Sequence, residues 1–335
     1  MRAPAFWTHD GALPRMLSPA SWVWTAAGRL RMKTTTATRA PVPVICVGNL
    51  TVGGAGKTPT VLALLGILAP RAGERAFVHA LTRGYGGSLE GPVRVDPARH
   101  TAAEVGDEAL LLARAAPTWV ARDRVAGALA AAGAGARAIV MDDGFQNAAL
   151  AKDLSLIVVD GETGFGNGRV MPAGPLREPI GDGLARADAV IVIGDDRAHV
   201  AADVRARRPE LPIFGARIAP SPETAATVRQ RRVMAFAGIG RPEKFFATLR
   251  ACGATLAAER AFADHHRFSA EEIAALESEA GRLDARLVTT EKDHVRLDAA
   301  VQARIAALPV TLAFDDDAAV ARLLDRALRP AAVTP

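Results

Sequence analysis

A glycine-rich turn between an apolar run and a helix-forming run constrains the fold of this chain more than any other feature. The turn, residues 48–58, reads GNLTVGGAGKT; it follows the apolar residues 42–47 and precedes the helix-forming residues 61–68. In such a unit, backbone N–H groups cradle phosphates, the lysine reaches the terminal phosphates and the threonine hydroxyl can hold Mg²⁺. The strict pattern has glycine at position 51, where this chain has Thr51, so a glycine-rich turn before an ordinary helix is the alternative. Because just five of the 41 basic residues are lysines, Lys57 before Thr58 favours phosphate binding.

The alternation of apolar strand-like runs with alanine-rich helical runs predicts an α/β fold. We expect a parallel sheet of the P-loop NTPase type with helices on both faces, and ligands at the carboxyl ends of its strands. The 335 residues allow a second, smaller α/β lobe after the polar, Arg- and Pro-rich stretch around 200–230. The predicted division is an N-terminal segment at 1–40, a nucleotide-binding domain at 41–215 and the second lobe at 216–335. Two isolated cysteines, Cys46 and Cys252, indicate neither a disulfide framework nor a zinc site and fit a reducing cytoplasm.

The basic charge of the chain is concentrated at its N-terminus. Residues 1–40 carry six basic residues against Asp10, which equals the whole net charge of +5. This concentration argues against a general nucleic-acid surface, which would spread basic residues over a domain. The same segment contains Phe6, Trp7, Trp22 and Trp24. Aromatic and basic residues on a short helix favour peripheral contact with an anionic bilayer; a helix packed on the body of the protein is the alternative.

A second strong signal is the run IVMDDGFQ at residues 139–146. It predicts a strand that delivers Asp142 and Asp143 at its carboxyl end. Mg²⁺ prefers oxygen ligands and keeps several waters, so one or two carboxylates beside a phosphate loop suffice to hold it. The alternative is a polar turn, since Asp-Gly pairs are common in turns.

Other polar motifs are ambiguous in isolation. Asp107 follows a glycine at a predicted helix start, where an acidic residue also favours the helix dipole. Arg83 and Arg177 lie in loops where they could contact phosphate or solvent. Asp264-His265-His266 has no obvious third metal ligand, so a base, or a residue that orients a base, is a better interpretation than a transition-metal site.

Taken together and in order, these motifs resemble the tetraacyldisaccharide 4′-kinase family, whose phosphate loop departs from the strict pattern at the position of Thr51. The resemblance covers most of the chain and rests on the following runs: GNLTVGGAGKTP at 48–59, RGYG at 83–86, GDE at 106–108, DDGFQ at 142–146, PAGPLREP at 172–179, DHH at 264–266 and TEKD at 290–293. It implies an ATP- and Mg²⁺-dependent kinase that phosphorylates the 4′-hydroxyl of tetraacyldisaccharide 1-phosphate in lipid A biosynthesis. It also implies two α/β lobes around a cleft and an N-terminal helix on the cytoplasmic face of the inner membrane, with an acylated disaccharide as partner and no obligate protein partner.

The resemblance also implies roles for individual residues. Asp107 is the implied catalytic base, assisted by a histidine that we take to be His265 rather than His266. Lys57 and Asp143 are the other implied catalytic residues. The implied nucleotide contacts are Thr51, Val52, Gly53, Gly54, Ala55, Gly56, Lys57 and Thr58. The implied metal ligands are Thr58, Asp142 and Asp143, and the implied substrate contacts are Arg83, Arg177 and Gln146.

One position departs from the family pattern, and two other functions compete with the kinase. Many relatives have histidine after the DDGFQ run, where this chain has Asn147; an amide there could keep a hydrogen bond. A kinase for a soluble sugar or nucleoside is one competitor, against which the basic aromatic N-terminus argues. The other is a nucleotide-dependent switch or metallochaperone acting on a protein partner, although the chain has no Asn-Lys-x-Asp run for guanine selection.

Overall fold

The computed structural model describes residues 4–70 and 77–328. The strands within them are β1 (Val44–Gly48), β2 (Val78–Thr82), β3 (Val93–Arg94), β4 (Thr118–Val120), β5 (Ala138–Asp142), β6 (Leu154–Asp160), β7 (Ala189–Ile193), β8 (Ile213–Ala219), β9 (Arg232–Ala237), β10 (Thr255–Ala261), β11 (Arg286–Thr290), β12 (Ala306–Leu308) and β13 (Thr311–Phe314). After a 3-10 helix at Ala5–Thr8, the α-helices are α1 (Ala12–Thr34), α2 (Lys57–Leu68), α3 (Ala102–Val105), α4 (Asp107–Ala113), α5 (Arg124–Gly133), α6 (Ile180–Leu184), α7 (Val200–Arg207), α8 (Pro222–Val228), α9 (Pro242–Ala251), α10 (Ala270–Arg282), α11 (Glu291–His294), α12 (Ala299–Gln302) and α13 (Asp317–Leu328).

The larger sheet confirms the predicted α/β fold. Among the described residues it has nine strands in the order β13-β8-β7-β6-β1-β5-β2-β4-β3. The seven inner strands pair in parallel, and the edge strands β3 and β13 pair antiparallel. Strands β1, β2, β5 and β6 are buried along their whole length, which explains why they read as continuous apolar runs.

Alternate residues of the central strand face two separate cores. Val44 and Cys46 belong to one cluster of buried side chains, whereas Ile45 and Val47 belong to the other. This alternation is the period of two that a pleated strand imposes. The second cluster is completed by helix α2, whose apolar face covers the sheet. The packing fixes α2, and therefore the turn before it, against the carboxyl end of β1.

A smaller sheet forms the second lobe. It has four parallel strands in the order β10-β9-β11-β12, among the described residues, and is covered by clusters of its own. The chain then returns to the larger sheet, because β13 pairs with β8 and α13 packs into the cluster shared with α2. The second lobe is thus an insertion between β8 and β13, and the boundary expected near residue 216 falls inside β8. The sequence of β13, an edge strand of four residues, does not indicate which of the two sheets it joins. Its pairing with β8 was therefore not predicted.

Helix α1 lies along the larger lobe. Ser21 Oγ donates to the Val170 carbonyl at 2.7 Å, and Trp24 Nε1 donates to the Arg177 carbonyl at 3.0 Å. The Arg29 guanidinium pairs with Asp182. Among the described residues, the helices lack the combination of length and apolarity needed to cross a bilayer.

Candidate active site

The glycine-rich turn at residues 48–58, which we call the phosphate loop after its predicted ligand, begins at the end of β1 and leads directly into α2. Gly56 has φ +89°, a left-handed backbone conformation that residues other than glycine rarely adopt. A Cβ at this position would also meet Ile193 Cδ1 at 2.4 Å. Lys57, the first residue of α2, folds back over the loop. Its Nζ donates to Asn49 Oδ1 at 3.2 Å and to the Gly53 carbonyl at 3.4 Å. The ammonium is therefore held above the turn in which the sequence predicts phosphate binding.

The acidic pair lies beside this loop because β5 is the neighbour of β1 in the sheet. Thr58 Oγ1 donates to Asp142 Oδ2 at 3.0 Å. Asp142 is fully buried, and its Oδ1 has no hydrogen-bond partner among the described residues. Burial raises the pKa of Asp142 to about 7, and the charges of Glu108 and Asp143 add to the rise, against the opposing effects of Lys57 and Thr58.

This donor set suits Mg²⁺. A hydroxyl oxygen and a buried carboxylate oxygen without a partner are hard ligands of the type that Mg²⁺ takes, and phosphate oxygens and waters would complete its octahedron. The described residues contain no group of three or more His, Cys, Asp or Glu side chains that could hold a metal. The site therefore resembles a nucleotide-dependent cation site more than a self-sufficient metal cage.

We expect Asp142→Asn to stabilise the metal-free protein more at alkaline than at acid pH. In the folded protein the pKa of Asp142, about 7, lies above the ordinary value of 3.8 that applies to the unfolded chain. The stability that comes from the protonated carboxyl is therefore fully present below about pH 3.8, and it is lost as the pH rises from there through about 7. The variant escapes this loss. The difference in Tm between variant and native protein should grow by a few degrees between about pH 5 and pH 8.5, since ~1 kcal/mol shifts Tm by roughly 2–4 °C for a large domain.

Thermal melting in EDTA measures this effect. Asp143→Asn is the matched control, because Lys57 and Arg177 hold the pKa of Asp143 below its ordinary value despite the opposing effect of burial. Its Tm difference should not grow toward alkaline pH. A pH-independent difference for Asp142→Asn would contradict the raised pKa.

Asp143 is held by a loop that pairs with the phosphate loop. The Val52 amide donates to the Pro175 carbonyl at 2.8 Å, and this pairing brings Arg177 next to the acidic pair. Arg177 makes two hydrogen bonds to the Asp143 carboxylate, at 2.8 and 3.2 Å. Asp143 Oδ2 is also 3.8 Å from Lys57 Nζ. Arg177, expected as a substrate contact, is thus positioned to fix the orientation of Asp143.

Gln146 and Asn147 lie in the turn that follows the acidic pair. Gln146 Oε1 accepts from Arg177 at 3.2 Å, and its Nε2 donates to the Asn49 carbonyl and to Glu178 Oε1, both at 3.0 Å. Asn147 Oδ1 accepts from the Leu150 amide at 3.0 Å. Gln146 thus joins the phosphate loop to the loop that carries Arg177. Asn147 closes the turn because its side-chain oxygen accepts the hydrogen bond from Leu150.

Asp107 starts helix α4 and is buried against the second lobe. The preceding Gly106 has φ +86°, and a Cβ there would meet the Tyr85 carbonyl oxygen at 2.6 Å. Asp107 Oδ1 accepts from the Glu108 amide at 2.8 Å, and Asp107 Oδ2 lies 3.1 Å from His265 Nδ1. The run RGYG thus packs on GDE, and the second lobe supplies the histidine that meets the carboxylate.

The two adjacent histidines have different surroundings. His265 adopts φ +59°, and its ring lies 5.4 Å from the Tyr85 ring. His266 Nε2 lies 3.0 Å from Glu272 Oε2, and its ring stacks on Phe262. The structure therefore brings His265, and not His266, to Asp107.

Two cations near Asp107 were not assigned a role from the sequence. Arg296 Nε donates to Asp107 Oδ2 at 2.8 Å, and Lys292 Nζ lies 3.3 Å from Glu108 Oε1 and 3.4 Å from His265 Nε2. Lys292 belongs to the TEKD run, so its motif was visible. Arg296 is one of many arginines and belongs to none of the motifs. Its contact with Asp107 joins residues that are 189 positions apart, so no local sequence pattern indicates it.

The electrostatics of this cluster favour an ionised Asp107. Burial would raise the pKa of Asp107, but the hydrogen bond from His265 and the charges of Lys292 and Arg296 hold that pKa well below its ordinary value. Burial would lower the pKa of Lys292, but Glu108 and Asp107 raise it overall. The carboxylate and its cations therefore stabilise one another in their charged forms.

Arg83 is the candidate that the structure leaves apart from these groups. It follows β2 and is exposed. Burial lowers the pKa of Arg124 to about 10, and the positive charge of Arg83 adds to that lowering. Because its guanidinium is exposed, Arg83 is accessible to an anionic ligand.

The chain resembles known proteins over most of its length. A family model described as tetraacyldisaccharide-1-P 4′-kinase (LpxK) matches residues 13–329. A tetraacyldisaccharide 4′-kinase of Rhodospirillum centenum is 59% identical over 329 residues, covering 97% of this chain and 96% of the relative. One of Paramagnetospirillum magneticum is 55% identical over 326 residues, covering 97% and 98%. The crystal structure of LpxK from Aquifex aeolicus in complex with ATP superposes with a TM-score of 0.75 at 26% identity, covering 95% of this chain and 100% of that one.

Proposed function

The chain belongs to the tetraacyldisaccharide-1-P 4′-kinase family, and we propose that its phosphate loop and its Asp107–His265 pair divide the work of the family's reaction. It is an ATP-dependent kinase that transfers the γ-phosphate to the 4′-hydroxyl of tetraacyldisaccharide 1-phosphate in lipid A biosynthesis. One observation carries the division of roles. The first lobe supplies a phosphate loop with Lys57, Thr58 and Asp142, and the second lobe supplies a histidine that contacts Asp107.

Phosphate binding and charge neutralisation fall to the loop. We assign the nucleotide contacts to residues 51–58, with Lys57 at the β- and γ-phosphates. Thr58 and Asp142 would hold Mg²⁺, with Asp143 beside them, and the ion supplies positive charge to the transferred group when bound. Since phosphoryl transfer needs positioning and electrostatic stabilisation more than covalent help, the ammonium of Lys57 and the backbone N–H groups of this loop would stabilise the charge on the transferred phosphate.

Proton removal falls to Asp107. Its Oδ2 is occupied by His265 and Arg296, whereas Oδ1 accepts one N–H from the part of the chain that the structure describes, that of Glu108. A carboxylate oxygen accepts two hydrogen bonds, so Oδ1 retains one site for the acceptor hydroxyl. As the hydroxyl oxygen bonds to the γ-phosphorus and ADP leaves, the proton passes to Oδ1. The low pKa of Asp107 fits late proton transfer, when the hydroxyl has become strongly acidic.

The acceptor discriminates this function from a kinase for soluble sugars. Labelled γ-phosphate should pass from MgATP to detergent-dispersed tetraacyldisaccharide 1-phosphate and not to a deacylated glucosamine disaccharide at equal concentration. Equal transfer to both acceptors would contradict a site built for an acylated substrate.

Contact with the membrane belongs to the same proposal. On the outer side of α1, the side chains of Met16, Val23 and Leu30 recur every seventh residue and are 78%, 71% and 63% exposed. Seven residues are close to two helical turns, so they form one stripe, which we call the outer stripe. Arg31 and Lys33, both exposed at the end of the helix, add positive charge. An apolar stripe with adjacent cations suits the anionic, cytoplasmic surface of the inner membrane.

We expect Met16→Glu/Val23→Glu to weaken binding to vesicles of phosphatidylethanolamine and phosphatidylglycerol by at least about tenfold. Burying one such side chain contributes ~1.5–3 kcal/mol, and 1.4 kcal/mol is tenfold in affinity. Leu129→Glu, at a residue of α5 that is 50% exposed, is the control and should bind like the native protein. Co-sedimentation measures both. Unchanged binding of the double variant would contradict the role of the outer stripe.

A further inference from the structure

Arg296 crosses from the second lobe into the first and is almost fully buried there. Its side chain is 6% exposed, and that of Asp107 is 4% exposed. Nε donates to Asp107 Oδ2 at 2.8 Å, and Nη2 contacts the same oxygen. Nη1 donates to the Gly238 carbonyl at 2.9 Å and to Asp293 Oδ1 at 2.6 Å. Every nitrogen of the guanidinium therefore has a partner, and its fork is fixed in one orientation.

The second lobe holds Arg296 through a buried carboxylate. Asp293 is fully buried, and its Oδ2 accepts from the Gly238 amide at 3.0 Å and from Thr290 Oγ1 at 2.7 Å. Gly238 follows β9 and Thr290 ends β11, so both partners belong to the strand ends of the small sheet. Asp293 ties Arg296 to this sheet, and Arg296 in turn reaches the carboxylate of the first lobe.

We propose that Arg296 is a positioning residue, which holds Asp107 as an oriented carboxylate with Oδ1 open to the acceptor hydroxyl. The inference rests on the proposed function, in which Asp107 is the base. It adds that docking of the second lobe creates this base, because a carboxylate so deeply buried would otherwise favour the protonated form.

The charges that face Asp107 come from two helices and two loops. Arg296 lies after α11, and α11 carries Lys292 and Asp293; Glu108 lies on α4 itself; and His265 and Asp264 lie on the loop before α10. Of these, Arg296 donates twice to Oδ2 and is as buried as its partner, so its charge is little screened by water. Lys292 is 3.3 Å from Glu108, which offsets part of its charge. Removing Arg296 should therefore raise the pKa of Asp107, because burial, the largest single influence, would then be opposed by His265 and Lys292 without Arg296.

The pH dependence of the transfer rate tests the inference. In Arg296→Met we expect the pKa of Asp107 to rise, so that kcat falls about tenfold per pH unit below the new value and recovers as pH increases. The ratio of kcat at about pH 8.5 to kcat at about pH 6 should exceed that of the native protein by about tenfold or more. Arg296→Lys keeps the charge without the fork and should show a smaller shift, which also provides a reading if the methionine variant does not fold.

A matched control breaks another contact between the lobes. Arg241, after β9, pairs with Asp160 at the end of β6, far less buried at 36% exposure. Arg241→Met should lower kcat by the same factor at every pH, because it loosens docking without altering the charge beside Asp107.

Two outcomes would overturn separate statements. A pH profile of Arg296→Met parallel to that of the native protein, with Asp107→Asn inactive, would overturn the role of Arg296 and leave the base in place. A nearly fully active Asp107→Asn would overturn the base itself, and with it the proposed function on which the inference rests.

Discussion

Replacement of Lys57 by alanine is expected to lower kcat for phosphate transfer by roughly 10²–10³-fold, the cost of removing one charge-stabilising donor from a preorganised site. The ammonium is held over the loop by Asn49 Oδ1 and the Gly53 carbonyl, and it is the first side chain of α2. Its side chain is 12% exposed, so water screens its charge weakly. No other side chain of residues 48–58 carries a positive charge.

Single-turnover transfer with saturating MgATP measures this loss independently of nucleotide affinity. Lys152→Met is a suitable control, because Lys152 is also partly buried but its ammonium contacts the Asn147 carbonyl, outside the phosphate loop. The control should keep kcat within a few-fold of native. A Lys57→Ala variant that transfers phosphate as fast as the control would remove Lys57 from the account.

Asp107→Asn is expected to lower kcat by about 10²–10⁴-fold, the usual contribution of a general base. The amide has nearly the shape of the carboxylate, so the packing of α4 should persist, but it cannot take the proton of the acceptor hydroxyl. The KM for ATP should change little, since the hydrogen-bond partners of Asp107 within residues 4–70 and 77–328 are His265, Arg296 and the Glu108 amide, and none of them belongs to the phosphate loop.

Steady-state kinetics with ATP and acceptor varied separately provide this comparison. Asp123→Asn is the matched control, because Asp123 caps α5 by accepting from the Val125 and Ala126 amides and an asparagine can make the same cap. Turnover of Asp107→Asn within a factor of a few of this control would show that another group accepts the proton.

The sequence predicted the fold class because that information is local. A strand that is buried on both faces reads as an apolar run, and the turn after β1 needs glycine at Gly56, where φ is +89°. The family followed from seven short motifs in order. Three of these motifs lie at the carboxyl ends of the neighbouring strands β1, β5 and β2. Because these strands are parallel, their carboxyl ends meet at one edge of the sheet, and the three motifs come together there.

What the sequence did not reveal depends on contacts between distant residues. Thr311–Phe314 is too short to show that it joins the first sheet through β8. The substrate or phosphate contact expected of Arg177 stays a prediction, and its pairing with Asp143, which the sequence did not indicate, depends on a loop that folds back onto residues 50–52. Arg296 belongs to no motif, and the carboxylate that it contacts, Asp107, lies in the other lobe. Side chains that join two lobes have no local period or spacing by which to be recognised.

Product analysis after complete reaction of the native protein with MgATP and detergent-dispersed tetraacyldisaccharide 1-phosphate tests the central claim most directly. The account predicts one ADP for each acceptor consumed, with the new phosphate on the 4′-oxygen as located by mass spectrometry of the isolated lipid. Release of ADP and inorganic phosphate with the acceptor unchanged would contradict it and would favour a nucleotide-dependent switch.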